Sequence, residues 1–256
     1  MKNFILSFIL FVFLVPATSL QLQAQETEGP SMFLIFEEFV APDNMNEFWK
    51  VQSEALDKFD ELDFNMTFSA YRTDDFSFYW AMPLKNFAAL DELFANMMKN
   101  HQLLMENGYN PAEKFRGLSN LSHFVVSWNK ELSYYPADYQ KPEEPEIFHE
   151  WAFIYLKSGH EKQAAEILKK YRDFYDSIEE NYHWDVYEVL LGNHTPCWIV
   201  ESRAKNELEM RKLEADMEKK YGEKFMELWS EFVKHTDKME IKKGWYMPKW
   251  SRYAEN

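Results

Sequence analysis

From residue 32 onward the same succession of hydrophobic patterns occurs twice, on either side of an acidic segment, 137–147, that holds Pro142 and Pro145. In the first half, Met32–Val40 is β-rich. Met45, Phe48, Trp49, Gln52, Ala55, Leu56, Phe59 and Leu62 then fall at helical spacing, and all but Gln52 are apolar. Such spacing puts one stripe of a helix into a core. Phe64–Arg72 and Phe76–Met82 read as strands around the turn Thr73-Asp74-Asp75. Asn86 can cap a second helix carrying Phe87, Leu90, Leu93, Phe94, Met97 and Met98. That helix fades near Gly108, a short one follows Pro111, and Leu121–Tyr134 closes the half as a strand.

In the second half, His149–Lys157 is a strand. Ser158 and Glu161 have the spacing of a capping box, ahead of a helix with Ala164, Ile167, Leu168, Tyr171, Phe174, Tyr175 and Ile178 on one side. Tyr182–Leu191 and Pro196–Arg203 are strands. Asn206 caps a charged helix that Gly222 is expected to interrupt, and Met239–Met247 is the last strand. Each half thus reads β-α-β-β-α-β, the ferredoxin-like unit. Lys85-Asn86 is echoed by Lys205-Asn206, and Tyr134-Tyr135-Pro136 by Tyr246-Met247-Pro248. The expectation is an α+β chain with a tandem ferredoxin-like arrangement: unit 1 over 32–136, a linker over 137–147 and unit 2 over 148–250.

The strand leading into Lys157-Ser158-Gly159-His160-Glu161 and a long amphipathic helix resembles the entry to the dimeric α/β-barrel superfamily, and Val40-Ala41-Pro42 before Glu47-Phe48 is a weaker version. That superfamily includes NIPSNAP-like and antibiotic-biosynthesis-monooxygenase-like proteins. The resemblance implies that the two sheets face each other within one chain as a pseudo-dimeric α/β barrel. It also implies a range of roles: cofactor-independent oxygenases, heme-handling enzymes and proteins without known activity.

The N-terminus reads as an export signal. Lys2 precedes an apolar run from Phe4 to Val15, Pro16 ends it, and Leu22-Gln23-Ala24 offers a cleavage position after Ala24. The run is shorter than the roughly 20 residues of a membrane span. The mature chain is expected outside the cytoplasm, periplasmic or secreted. Net charge is −15 for the whole chain, and −16 once Lys2 is lost. Such a surface disfavours nucleic acid and anionic membrane as partners. Cys197 is the single cysteine, so no internal disulfide can form.

Strand parity nominates an interior. On the strand from His149, Ala152, Ile154 and Leu156 form an aliphatic face for helices to cover. His149, Trp151, Phe153 and Tyr155 form the other. On neighbouring strands His183, Glu188 and Glu201 supply polar groups, and in the first half Phe76, Phe78 and Trp80 share one side. An aromatic-lined space with a few polar groups suits a small apolar or aromatic ligand. The candidate binding residues are therefore His149, Trp151, Tyr155, His183, Glu188, Glu201 and Trp80. His149-Glu150 is not the zinc-protease motif, because Phe153 and Ile154 follow, and no metal site or resident cofactor is expected. No catalytic set emerges: G-x-S-x-G, P-loop and G-x-G-x-x-G are all missing. Cys197, in a strand, reads as a buried small hydrophobe. Three roles stay open: a monomeric or homodimeric binder of a small aromatic ligand, a cofactor-independent or heme-handling monooxygenase-like enzyme, and an interaction protein with a packed interior.

Overall fold

A computed structural model describes residues 31–178, 180–192 and 195–254. The expected signal segment 1–24 lies outside these residues, as does His194. Among these residues the protein is an α+β barrel: eight antiparallel strands close on themselves, with five α-helices outside. The strands are β1 (Met32–Val40), β2 (Ser69–Thr73), β3 (Ser77–Leu84), β4 (Ser119–Trp128), β5 (Phe148–Leu156), β6 (Asp185–Leu191), β7 (Cys197–Ala204) and β8 (Thr236–Tyr246). The helices are α1 (Met45–Glu61), α2 (Ala89–Glu106), α3 (Pro111–Lys114), α4 (Glu161–Asp176) and α5 (Glu207–Phe232).

Around the barrel the order is β1-β3-β2-β8-β5-β7-β6-β4. The strands of each half are therefore contiguous, β4-β1-β3-β2 and β8-β5-β7-β6. The halves do not form two stacked sheets. Their edges are hydrogen-bonded, β2 to β8 with Tyr71 opposite Tyr246, and β4 to β6 with Trp128 opposite Tyr187. Closure removes the unpaired edges that each half would otherwise expose.

The helices cover the outer face through two cores. One joins Phe48 and Leu56 of α1 to Leu34, Phe78, Trp80 and Val125 of the sheet. The other joins Ile167, Met217 and Phe232 to Ile154, Trp184 and Trp198. The C-terminal segment of the second half completes the first half's core. Trp250 lies parallel to Trp80 with ring centres 6.0 Å apart and 4.5 Å from Trp49. Arg252 clamps Asp60 through two bonds of 2.7 and 2.9 Å.

Local expectations hold where a physical cap exists. Asn206 is the N-cap of α5 and accepts from Glu209 N, whereas α2 begins at Ala89 with Ala88 as its N-cap and Asn86 accepts from Ala89 N in the turn ahead of it. Four others differ. Ser158 and Glu161 form no capping box, because Gly159 turns the chain at φ 80° and His160 becomes the N-cap. Gly222 does not interrupt α5, since Met210, Met217, Leu228 and Phe232 anchor the helix on both sides of it. That burial outweighs a glycine penalty of about 1 kcal/mol. β2 starts at Ser69 rather than Phe64, because Asp63 takes a left-handed turn and Phe64 stacks back on Phe59. β4 stops at Trp128, where Asn129 accepts from Leu132 N and bends the chain.

Candidate functional site

The inward-facing side chains line a cavity of about 120 Å³. Its walls are apolar and aromatic, with Phe33, Phe124, Trp151, Phe153, Tyr187 and Ile199 among them. An apolar engineered cavity of about 150 Å³ takes up benzene, so this space is on the scale of one aromatic ring. The polar edge consists of the hydroxyls of Ser69, Tyr71, Tyr79 and Tyr187 and the carboxylate of Glu201.

Glu201 is 6% exposed and fully hydrogen-bonded. Its Oε1 accepts from Trp151 Nε1 at 2.8 Å and lies 2.8 Å from His149 Nδ1. Its Oε2 accepts from Arg203 at 3.0 Å and from the Tyr187 hydroxyl at 3.4 Å. Burial pushes its pKa up, but the Arg203 charge and the bonds from His149 and Trp151 outweigh burial and bring it down to about 2. Tyr71 and Tyr187 move the other way: burial, reinforced by the Glu201 charge, pushes both phenols well above their ordinary value. At neutral pH the cavity therefore faces one fixed anion and several protonated hydroxyls.

Behind Glu201 the network continues to the barrel end. Arg203 donates to Asp185 at 2.6 Å and to the Tyr135 hydroxyl at 2.7 Å. Asp185 also accepts from Trp128 Nε1 and Tyr135, both at 2.8 Å. Over this end runs the 137–147 segment. Between it and the barrel opens a crevice of about 560 Å³, walled by Trp128, Tyr135, Tyr139, Glu146, Asp185 and Arg203. Phe33 and Tyr187 line both the crevice and the cavity, so this pair forms the partition between mouth and interior. Their rings meet edge to face at 6.1 Å. A second polar cluster touches the cavity through Tyr79, whose hydroxyl donates to Glu37 at 2.6 Å and accepts from Lys242 at 2.8 Å.

The residues nominated by parity separate into three groups. Trp151 and Glu201 line the cavity. His149 sits behind Glu201, 5% exposed, with its other ring nitrogen 3.1 Å from the Glu146 carbonyl, so neither nitrogen is directed at the cavity. Tyr155 lies further along the same face and donates to Glu240 at 3.1 Å. His183 lines neither the cavity nor the crevice; it is buried beyond Glu146, 3.3 Å from its carboxylate. Trp80 and Glu188 are on the opposite face of the sheet. Trp80 packs in the helix-covered core and donates to Glu38 at 3.1 Å; Glu188 accepts from Asn129 at 2.7 Å. Parity misassigned Trp80 because its neighbour Tyr79 is also aromatic, and only helix coverage tells the faces apart. Tyr71, Tyr79, Asp185, Tyr187 and Arg203 were not nominated. The alternation Asp185, Tyr187, Val189 carries the signal for two of them, but both faces of that strand are mixed.

Elsewhere, burial pushes the Cys197 thiol up to about 12, which makes it an unreactive packing residue. Among the described residues no group of three His, Cys, Asp or Glu side chains is placed to hold a metal ion, and no helix is long and apolar enough to cross a membrane.

The fold and its cavity define an α+β barrel with a small, aromatic interior. Solved structures share that fold. An anthrone oxidase-like protein matches with a TM-score of 0.57 at 8% identity, covering 85% of this chain and 92% of that one. A protein of Fusobacterium nucleatum assigned as a monooxygenase matches at 0.52 and 13%, covering 85% and 93%. Another, from Lactobacillus acidophilus, matches at 0.50 and 9%, covering 85% and 93%. At these identities the likeness is one of fold. No protein-family model matches the chain, and no curated protein does.

Proposed function

We propose that this protein is exported and binds a small aromatic molecule inside its barrel. The observation that carries the reading is the cavity of about 120 Å³, with aromatic walls and one buried, ionised carboxylate at its edge. A fully packed interior would have no such space, since cores close-pack to near-crystalline density. Export rests on the N-terminal pattern around Lys2 and Ala24. The strand orders β4-β1-β3-β2 and β8-β5-β7-β6 support reading the barrel as two ferredoxin-like units in tandem, with the 137–147 linker between them, and support the superfamily resemblance, NIPSNAP-like members included.

Cofactor-independent oxygenation is the second reading, favoured by the fold shared with two assigned monooxygenases and an anthrone oxidase-like protein. Such chemistry needs a base to remove a proton from the bound ring system. A carboxylate held at about 2 is a poor base, and the neighbouring phenols are donors. The geometry therefore favours binding over turnover.

The test is calorimetric titration of the purified protein with toluene, phenol and indole, repeated with Trp151→Ala and Glu201→Gln. Saturable binding of one equivalent that Trp151→Ala alters supports the reading. No binding by any single-ring compound removes it.

A further inference from the structure

Resting on the barrel-binding reading, we infer that the ligand is an aryl-alkyl ammonium: its ring occupies the inner cavity and its cationic arm lies in the mouth. The two spaces adjoin through Phe33 and Tyr187, so a molecule with one ring and a short arm can span them. The arm enters a compartment walled by five aromatic rings, Phe33, Trp128, Tyr135, Tyr139 and Tyr187. Aromatic faces attract ammonium groups through the ring quadrupole, more strongly when water is excluded.

Charge points the same way. The charged groups lining mouth and cavity are Lys141 and Arg203 against Glu144, Glu146, Asp185 and Glu201, a formal balance of −2. Arg203 is not available to an anionic arm. Asp185, Glu201 and Tyr135 already take its donors, and Glu146 lies 3.5 Å from its Nε. A carboxylate arm would meet this committed cation and four anions. An ammonium arm would meet the ring faces and the carboxylates of Glu144 and Glu146, while Asp185 and Glu201 are already taken up by Arg203. Glu146, on the wall of the mouth, lies 3.3 Å from His183 Nε2 and 3.5 Å from Arg203 Nε, and an ammonium arm would share its carboxylate with them.

The experiment is calorimetric titration of the full chain with three probes of one shape: 2-phenylethylammonium, 3-phenylpropionate and ethylbenzene. The ammonium is expected to bind at least about tenfold more tightly than the carboxylate, the equivalent of about 1.4 kcal/mol, with a preference that shrinks as salt rises. Glu146→Gln and Tyr139→Leu should each reduce that ratio severalfold while leaving ethylbenzene binding unchanged, and Tyr139→Phe should restore it. Equal or tighter binding of the carboxylate overturns the inference, as does a ratio that both variants leave intact. If ethylbenzene still binds in those cases, the barrel reading survives alone. If none of the three binds, both fall.

Discussion

The indole of Trp151 lies against Gly244 so closely that a Cβ added to Gly244 would stand 2.0 Å from Trp151 Cζ3. On its other side that Cβ would be 3.0 Å from the Arg72 carbonyl oxygen in β2. Gly244 thus sets where the cavity wall can lie, because nothing larger lets the ring settle between β5 and its neighbour. Gly244→Ala is expected to destabilise the protein by about 1–3 kcal/mol, the usual cost of overpacking. Combining it with Trp151→Ala should recover part of that loss. Urea melts of the two single variants and the double variant measure the coupling, and strictly additive effects would show that the contact is not strained by the methyl.

Glu201 makes stability depend on acid pH. Its folded value, about 2, is below its ordinary value of 4.5. The stabilisation is therefore complete above about 4.5 and is lost as pH falls toward 2. At 1.36 kcal/mol per unit it amounts to about 3 kcal/mol. Glu146 is also lowered, by His183 and Arg203 against its own burial, and adds in the same direction. Melting free energy measured from pH 6 to 2 should fall steeply in the wild type and less steeply in Glu201→Gln.

Removing that carboxylate has a second cost, because Arg203 is then left with one fewer buried counter-charge. Breaking a buried pair from one side costs about 3–5 kcal/mol. Glu201→Gln should therefore be markedly less stable at pH 7, whereas Glu188→Gln, on the outer face, should change stability by less than about 1 kcal/mol. Chemical denaturation at neutral pH checks both. Equal losses would contradict the placement of the two carboxylates on opposite faces of the barrel.

Trp250 ties the end of the chain to the first half. Trp250→Ala is expected to cost about 3–5 kcal/mol, as large aromatic deletions do. The halves expressed separately, 25–146 and 147–256, should associate or aggregate rather than persist as soluble monomers. Each would expose the edges that β2–β8 and β4–β6 pairing now satisfies, and the first half would also lack Trp250. Light scattering of each half reads the outcome.

Mass spectrometry of the protein recovered from outside the cytoplasm is expected to show a start near Gln25. Recovery of chains that retain Met1 there would remove the export proposal.

How much of this was legible before folding depends on the range of the interactions. The face His149, Trp151, Phe153, Tyr155 could be read locally, because period-two alternation opposes it to the aliphatic Ala152, Ile154 and Leu156 that a helix covers. The repeated element order was equally local, since periodicity and the cap at Asn206 act within a few residues. Trp80 could not be placed that way: Tyr79 and Trp80 are both large aromatics, and only the docking of α1 and Trp250 decides which of them is covered. The meeting of Glu201 with His149 spans 52 residues, and that of Arg203 with Tyr135 spans 68. No window of sequence contains either. Likewise His160 and His235, on separate elements, come within 2.9 Å only when β8 returns beside β5. The sequence by itself determined the elements, their order and one inward face, because hydrophobic periodicity and capping are properties of neighbouring residues. Only the tertiary structure decided that the two halves close edge to edge into a single barrel, and that its interior keeps a space about one ring wide beside a buried anion, because edge pairing and cavity volume depend on how every strand and helix packs at once.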